Sequence, residues 1–422
     1  MASDVEVIVD PDTYTRGVPH ESLARLRARD VVRADDAVHV FRHADVRAVL
    51  KNPGVFSSWR GGTQIRDPAT PEDLAYVRRM MLNTDPPDHT RLRGLLTKAF
   101  TPRAVANLEA KVERWAQDLV APLAGAGVHD FTKAMADLPL LTLAEVFGVP
   151  HQDRALMFDW SNRVIGYQDD DYAHSNSDTT GMTDMALKAL ELRPDPQPDP
   201  RSRGGMPDLL AYAHALGELK RREPGDDVMS NLMRHDVAVE EFETLFWLFS
   251  VAGNETLRNG IPGGMIALMS HPDQYELLRR DPALLPNAVE EVLRWWTPVM
   301  HFRRTATRDT ELSGVPVREG DRVVVWFSSA NRDERVFTEP HRFAVRRRDI
   351  DHLSFGHGPH FCLGAHLARV QLRAFFGAVL RLPGVLAPAG EPQRLRSNFQ
   401  NGVKRLPVGH QLGSSSVKTW SD

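Results

Sequence analysis

The stretch SFGHGPHFCLG, residues 354–364, holds Cys362, the single cysteine of a 422-residue chain. Around it stand Gly356, Gly358 and Gly364, with His357 and His360 between them. Glycines let a loop turn tightly and come close to a partner. A helical pattern follows at once in LGAHLARVQLRAFFGAVL. Cys362 is therefore expected at a helix start, where the positive end of the dipole favours a thiolate. A thiolate can act as a nucleophile or as a soft metal ligand. The nucleophile needs a base that a third group orients, and the glycine loop fixes no such geometry for His360. The ligand needs a metal that brings its other donors along, because one cysteine excludes an intrachain disulfide and a multi-cysteine zinc site. Without its context, a lone cysteine is most often a small buried hydrophobe.

Other groupings also carry chemistry. Glu255 and Thr256 of AGNET set an acid and a hydroxyl side by side on the most apolar helix pattern, EEFETLFWLFSVAGNETLRNG. The plain account is a solvated Glu and a Thr bonded back to its own helix. Gly253 within that pattern costs about 1 kcal/mol relative to Ala, and a groove where a ligand meets the backbone would explain it. His89 and Arg93 of HTRLR lie four apart and reach from one helix face, forming either a solvated basic face or an anion site. Glu291 and Arg294 of EVLR form an i,i+3 pair, worth little if exposed.

Haem with an axial cysteine thiolate satisfies the ligand requirement with one residue. FGHGPHFCLG has the spacing Phe-Gly-x-Gly-x-basic-x-Cys-x-Gly, and at every anchor position it resembles the haem-ligand loop of cytochrome P-450 monooxygenases. The resemblance implies haem b as cofactor, Cys362 as its iron ligand, Phe355 packed beside it, Gly364 completing the loop and His360 near a propionate. It implies that Glu255 and Thr256 form the acid–alcohol pair of the oxygen-activating helix, with Ala252 and Gly253 facing the haem. Such a pair supplies the general acid help needed when one oxygen atom leaves as water. His89 and Arg93 would pair with the propionates, which need partners when buried. Arg304 of RTAT would join them, with Arg303 beside it as a competitor. Glu291 and Arg294 would form a buried pair behind the cysteine loop, completed by a third basic residue from EPHRFAVRRR: Arg342 first, Arg346 second. Leu248, Phe249, Val299, Met300 and Phe302 would wall the substrate pocket; for Phe249, plain core packing is an equal account.

More narrowly, VAGNETLRNG, TPVMHFRRTATRDTELSG, SSANRDERVF and RLRSNFQNGVKRLPV resemble the bacterial group that hydroxylates sterol side chains, methyl-branched lipids and linear terpenoids. Two departures touch the pocket. Leu257 stands where that group usually has a second Thr. Pro262 removes a hydrogen bond to the Arg258 carbonyl and should kink or end the helix nearby. RPDPQPDPRSRGG looks like an enlarged loop able to admit a bulkier or more polar molecule.

The elements that must position these residues read as mostly helix. AVHVF is a strand pattern, HADVRAVLKN a helix pattern, and the chain from DHTRLRGLLTKAF onward has apolar residues every three or four positions. RRTATRDTELSGVPVREGDRVVVWFSSA reads as strands and a hairpin with Ser-Gly at the turn. Helices dominate and a smaller β part lies apart in sequence, which predicts one α+β domain over 1–411; within the resemblance it is the mostly α, single-domain P-450 fold around a buried haem. Residues 412–422 read as a disordered tail. Between Gln168 and Asp227 acids, Pro, Gly and Ser concentrate, and the amphipathic stretches within favour a mobile lid over a linker.

Apolar residues at 42%, charged residues at 26% and a net charge of −4 give no global field toward nucleic acid or membrane. The N-terminus has neither a signal peptide nor a membrane anchor, and a cytoplasmic setting fits the single cysteine. The resemblance implies a monooxygenase that takes O2 and a predominantly apolar small molecule. With no flavin or iron–sulfur domain in the chain, electrons would come from a ferredoxin and its reductase. Arg346, Arg347 and Arg348 could form the docking surface, or a solvated loop. The rivals are a peroxide-driven haem-thiolate oxidase, which dispenses with the acid–alcohol pair, and a non-catalytic haem-binding sensor.

Overall fold

The computed structural model describes residues 3–34, 36–176, 178–196 and 198–412. The tail expected at the C-terminus lies outside the described residues from 413 onward. The principal helices are α1 (Asp88–Thr97), α2 (Pro102–Val120), α3 (Phe131–Phe147), α4 (Arg154–Ile165), α5 (Pro207–Arg222), α6 (Val239–Ala252), α7 (Glu255–Ser270), α8 (Leu285–Trp296) and α9 (Ala365–Leu380). Local chemistry sets their ends. Thr101 caps α2 by accepting from the Ala104 N–H at 3.3 Å, and Pro102 fits the first turn. Asp130 caps α3 through the Thr132 N–H, and Gly148 closes it at φ +73.

Val105, Val112, Ala116 and Val120 form one buried stripe of α2. That helix packs against α9, and α3, α7, α8 and α9 complete a single large apolar core. The β part stands apart as a five-stranded sheet: β1 (Val31–Ala34), β2 (Ala37–Val40), β3 (Phe56–Ser57), β4 (His301–Ala306) and β5 (Arg322–Trp326), in the order β1-β2-β5-β4-β3. β2 and β5 pair in parallel, with Val38 opposite Val323 and Val40 opposite Val325. The other pairings are antiparallel. Val323, Val324 and Val325 are all fully buried, so the apolar run of β5 is covered on both faces.

The expected Ser-Gly hairpin forms between Thr310–Leu312 and Val315–Val317, with Ser313 and Gly314 both at positive φ. The single long helix expected through AGNET is interrupted. α6 stops at Ala252, and α7 starts at Glu255 after a turn at Gly253 and Asn254. Pro262, expected to kink or end the helix, ends nothing: α7 runs through it to Ser270. Among the described residues, the segment between α4 and α5 holds only the short helices Asp170–Ala173 and Asp184–Leu190 and a single 3-10 turn. Among the described residues no helix is long and apolar enough to cross a membrane.

Candidate active site

A cavity of about 340 Å³ lies between the interrupted helix, the cysteine loop and the edge of the sheet. Cys362, Phe355, His360 and Gly364 line one side, and Ala252, Gly253 and Thr256 line the opposing helix. Gly253 lies close to a neighbouring helix: a Cβ there would stand 2.7 Å from Leu143 Cδ1 of α3, so a side chain would have to push that leucine end aside. The close approach is thus helix on helix, at the same place where the helix opens to the cavity.

The cysteine loop is fixed from its own backbone. The Cys362 N–H donates to the Phe355 carbonyl at 2.8 Å. Gly358 sits at φ +70, and a Cβ there would fall 2.5 Å from the Leu50 carbonyl oxygen, so only glycine fits. Burial pushes the Cys362 thiol up; the Gly364 N–H and the charges of Arg93 and Arg369 pull it back only in part. The helix start alone therefore does not hold a free thiolate here, and a bound cation would do so. Arg369 in turn pairs with Glu290 at 2.6 and 2.7 Å and lies over the Phe355 ring at 4.6 Å.

His89, Arg93, Arg304 and His360 converge at one rim. The rings of His89 and His360 are 4.1 Å apart. Burial, then the charges of Arg304, His89 and Arg93, push His360 down to about 2. Burial lowers Arg304 to about 10 and also lowers His89 and Arg93. Arg304 donates to the Arg303 carbonyl at 2.8 Å. No carboxylate pairs with these four groups among the described residues. Asp85, the acid that bears on them, accepts instead from the Ser57 hydroxyl and the Ser58 N–H. Arg303 is the satisfied neighbour, reaching Asp67 at 2.5 Å. Arg304, buried, and Arg93, half-buried, are cations without a carboxylate, and beside the two imidazoles they mark a place for an anionic ligand.

Behind the loop the basic cluster is complete. Glu291 and Arg294 are fully buried and joined by two bonds of 2.7 and 2.8 Å. The third partner is Arg347, whose Nε reaches both Glu291 oxygens at 2.9 and 3.1 Å. Arg342, the first expectation, is wrong: its side chain is 60% exposed and pairs with Glu339. It supplies only a backbone carbonyl, which accepts from Arg294 and Arg347. Arg346 also points outward, 3.7 Å from Asp281. With Arg347 committed inward, the proposed docking surface shrinks to Arg346 and Arg348, both exposed.

Leu248, Phe249, Val299 and Phe302 line the cavity, and Phe249 also packs on Phe147 at 4.7 Å. Met300 does not reach the cavity: it is fully buried, with its backbone tied to Phe399 and Ser328. Leu257 takes a place in the wall. Thr256 Oγ1 donates back to the Ala252 carbonyl at 3.1 Å while its side chain borders the cavity. Glu255 turns away from it. Its carboxylate accepts from Arg258 at 3.1 Å, Asn259 at 3.1 Å and, more weakly, the Ser161 hydroxyl at 3.4 Å. Arg258 also reaches Asn162 of α4 at 2.8 Å. The acid is thus tied to the helix that precedes the lid segment.

Several wall residues carried no sequence signal: Gly62, Thr63, Gln64 and Arg66, Met80 to Asn83, and Phe399 and Gln400. They come from loops without periodicity. Arg201 of the enlarged loop also lines the cavity, lying 4.6 Å over the Tyr167 ring and paired with Asp199.

These residues fit a haem. Among the described residues no cluster of His, Cys, Asp and Glu could hold a metal by itself. Iron at Cys362 must therefore arrive already chelated, in a group that is flat and apolar with anionic edges. Cys362 would be its soft ligand, and the unpaired cations would meet the carboxylates.

Residues 227–412 match the family model described as Cytochrome P450. The chain is 35% identical over 427 residues to the steroid C26-monooxygenase of Rhodococcus jostii (strain RHA1), covering 96% of this chain and 84% of that protein. It is 34% identical over 418 residues to linalool 8-monooxygenase of Pseudomonas putida, covering 94% and 97%. The fold matches a Mycobacterium marinum cytochrome P450 solved in complex with pseudoionone, with a TM-score of 0.79, 34% identity and coverage of 92% and 94%. A cysteine held at an apolar cavity with unpaired cations at its rim, and whole-length relatives at this identity, lead to one conclusion: the chain belongs to the cytochrome P450 family and is a haem b-dependent monooxygenase.

Proposed function

We propose that this enzyme hydroxylates an unactivated C–H bond of a steroid, terpenoid or methyl-branched lipid, with electrons from a separate ferredoxin. The balance is one substrate C–H, O2, two electrons and two protons, giving one C–OH and one water. When bound, haem would supply the oxygen activation, and Cys362 would hold its iron as an electron-donating thiolate. His89, Arg93, Arg304 and His360 would hold its propionates. Thr256 places a hydroxyl at the cavity wall, and rotation away from the Ala252 carbonyl would turn its proton toward O2. Glu255, ion-paired with Arg258 and turned from the cavity, would join proton delivery only after releasing that arginine. Leu248, Phe249, Leu257, Val299 and Phe302 exclude water and hold the apolar body of the substrate.

The observation that carries this reading is the opposition of Cys362 and Thr256 across one largely apolar cavity. The activities of the relatives, on steroids and on linalool, support the substrate class.

The test is the spectrum of the reduced, carbon monoxide-bound protein, followed by product analysis with a ferredoxin system. A far-red-shifted Soret band that Cys362→Ser abolishes is expected. An ordinary Soret position in the wild type would overturn the reading. Thr256→Ala should lower product and release peroxide, whereas a haem sensor would be indifferent. Arg346→Glu with Arg348→Glu should slow electron transfer and flatten its salt dependence, and unchanged kinetics would remove the docking assignment.

A further inference from the structure

Gln400 stands out in the cavity wall. It is 3% exposed, it lines the cavity beside Phe399, Val299 and Leu257, and its neighbours there are apolar. Its backbone is pinned. The Gln400 N–H donates to Ser397 Oγ at 3.1 Å, and Gln400 bridges Val299. The next residue is locked to α8, since Asn401 Nδ2 donates to the Trp296 carbonyl at 2.6 Å and Trp296 Nε1 donates back at 2.9 Å.

The orientation of the Gln400 amide follows from a carboxylate two groups away. Glu255 accepts only. Asn259 therefore turns its Nδ2 toward Glu255 Oε1, at 3.1 Å. The second hydrogen of that Nδ2 points to Gln400 Oε1, at 3.5 Å, the outer limit of a hydrogen bond. Gln400 must then present Oε1 to Asn259 and Nε2 elsewhere. Nε2 donates to no acceptor among the described residues, and the space beside Gln400 is the cavity. That N–H opens on the cavity, where water or an oxygen on a ligand can accept from it, and a ligand oxygen that replaces the water keeps the bond.

We propose that Gln400 is a specificity residue whose side-chain N–H donates to a carbonyl or hydroxyl oxygen on the substrate, away from the carbon that is oxidised. The substrate is thus an oxygenated steroid, terpenoid or lipid and not a bare hydrocarbon. The inference rests on the reading of the cavity as the substrate chamber. A site built to donate to an oxygen rejects the analogue that lacks it, because the amide then stays unpaired. Gln400 also ties this contact, through Asn259, to Glu255.

The experiment uses the holoenzyme and phenylimidazoles. Their ring nitrogen ligates the iron and shifts the Soret band, so binding is read without knowing the natural substrate. Matched pairs carry an acetyl group or the isosteric isopropenyl group at the ortho, meta or para position. For at least one position the acetyl member should bind about tenfold more tightly, one hydrogen bond's worth. That preference should fall to about twofold or less in Gln400→Leu, again one hydrogen bond's worth. Gln400→Glu keeps the shape and still accepts from Asn259 but offers no donor, and it should lose the preference too. Equal binding of every pair by the wild type overturns the inference, as does a preference that survives both substitutions. Either of those results beside a normal carbon monoxide spectrum sinks the Gln400 assignment alone. Absence of the thiolate band sinks it together with the haem reading.

Discussion

Two clusters of cations flank the cysteine loop, and they are built on opposite terms. Behind it, Arg294 and Arg347 share Glu291, and their remaining N–H groups are spent on the carbonyls of Asn331, Thr338, Glu339, Pro340 and Arg342. In front of it, His89, Arg93, Arg304 and His360 crowd together without a carboxylate, and burial, then the charges of its neighbours, pushes His360 down to about 2. A buried charge that is fully paired costs little to keep and much to disturb. One left unpaired is a standing cost unless something else arrives. The first cluster is therefore scaffold and the second is a receptor. Protein partners, not the identity of the residues, tell the two apart.

The comparison breaks if the clusters respond alike to substitution. Glu291→Gln strands two buried guanidiniums and should cost about 3–5 kcal/mol, read as a lower denaturation midpoint with and without haem. Arg304→Leu should do the reverse to the apoprotein, holding or raising its stability, while haem affinity falls more than about tenfold; a haem titration measures it. Loss of apoprotein stability in that variant would mean Arg304 is scaffold after all. Acid gives a sharper contrast. His301, wedged between Trp326 and Phe399, is fully buried, and burial pushes it down to about 3. Its folded pKa lies below the unfolded value of about 6.5, so the unfolded state binds the extra proton and stability falls as pH drops below about 6.5. His301→Phe should flatten that acid limb by up to about 1.4 kcal/mol per pH unit. The smallest effect is expected at Arg342→Ala, within about 0.5 kcal/mol, because its exposed side chain meets only Glu339.

Arg342 also shows where reading the sequence stops. The loop around Cys362 is contiguous, and its glycines, phenylalanine and histidine lie at fixed offsets, so its chemistry is legible residue by residue. The same holds for His89 with Arg93 and Glu291 with Arg294, which share a helix face. The third basic partner does not. Arg342, Arg346 and Arg347 are equivalent on paper, and only the path of the chain past α8 turns Arg347 inward. The cavity walls from Gln64, Asn83 and Gln400 come from loops whose positions depend on elements far away in sequence. Met300 failed for a related reason: the backbone bonds to Phe399 and Ser328 decide which way it faces, and composition does not encode them. The helix break was half visible. Gly253 announced a weak point, but the close contact with Leu143 on α3 comes from a helix far away in sequence.

The rim of unpaired cations ties the amount of this protein in a cell to the supply of its cofactor. An apoprotein that buries Arg304 without a carboxylate folds less securely, and a ligand that binds only the folded state adds stability in proportion to the logarithm of its free concentration. When haem is scarce, chains should linger partly open and fall to proteases; when it is plentiful, the same chains are rescued after synthesis. Catalytic capacity would then follow haem availability without any change in transcription, as a direct result of leaving Arg304 and its neighbours without acids of their own.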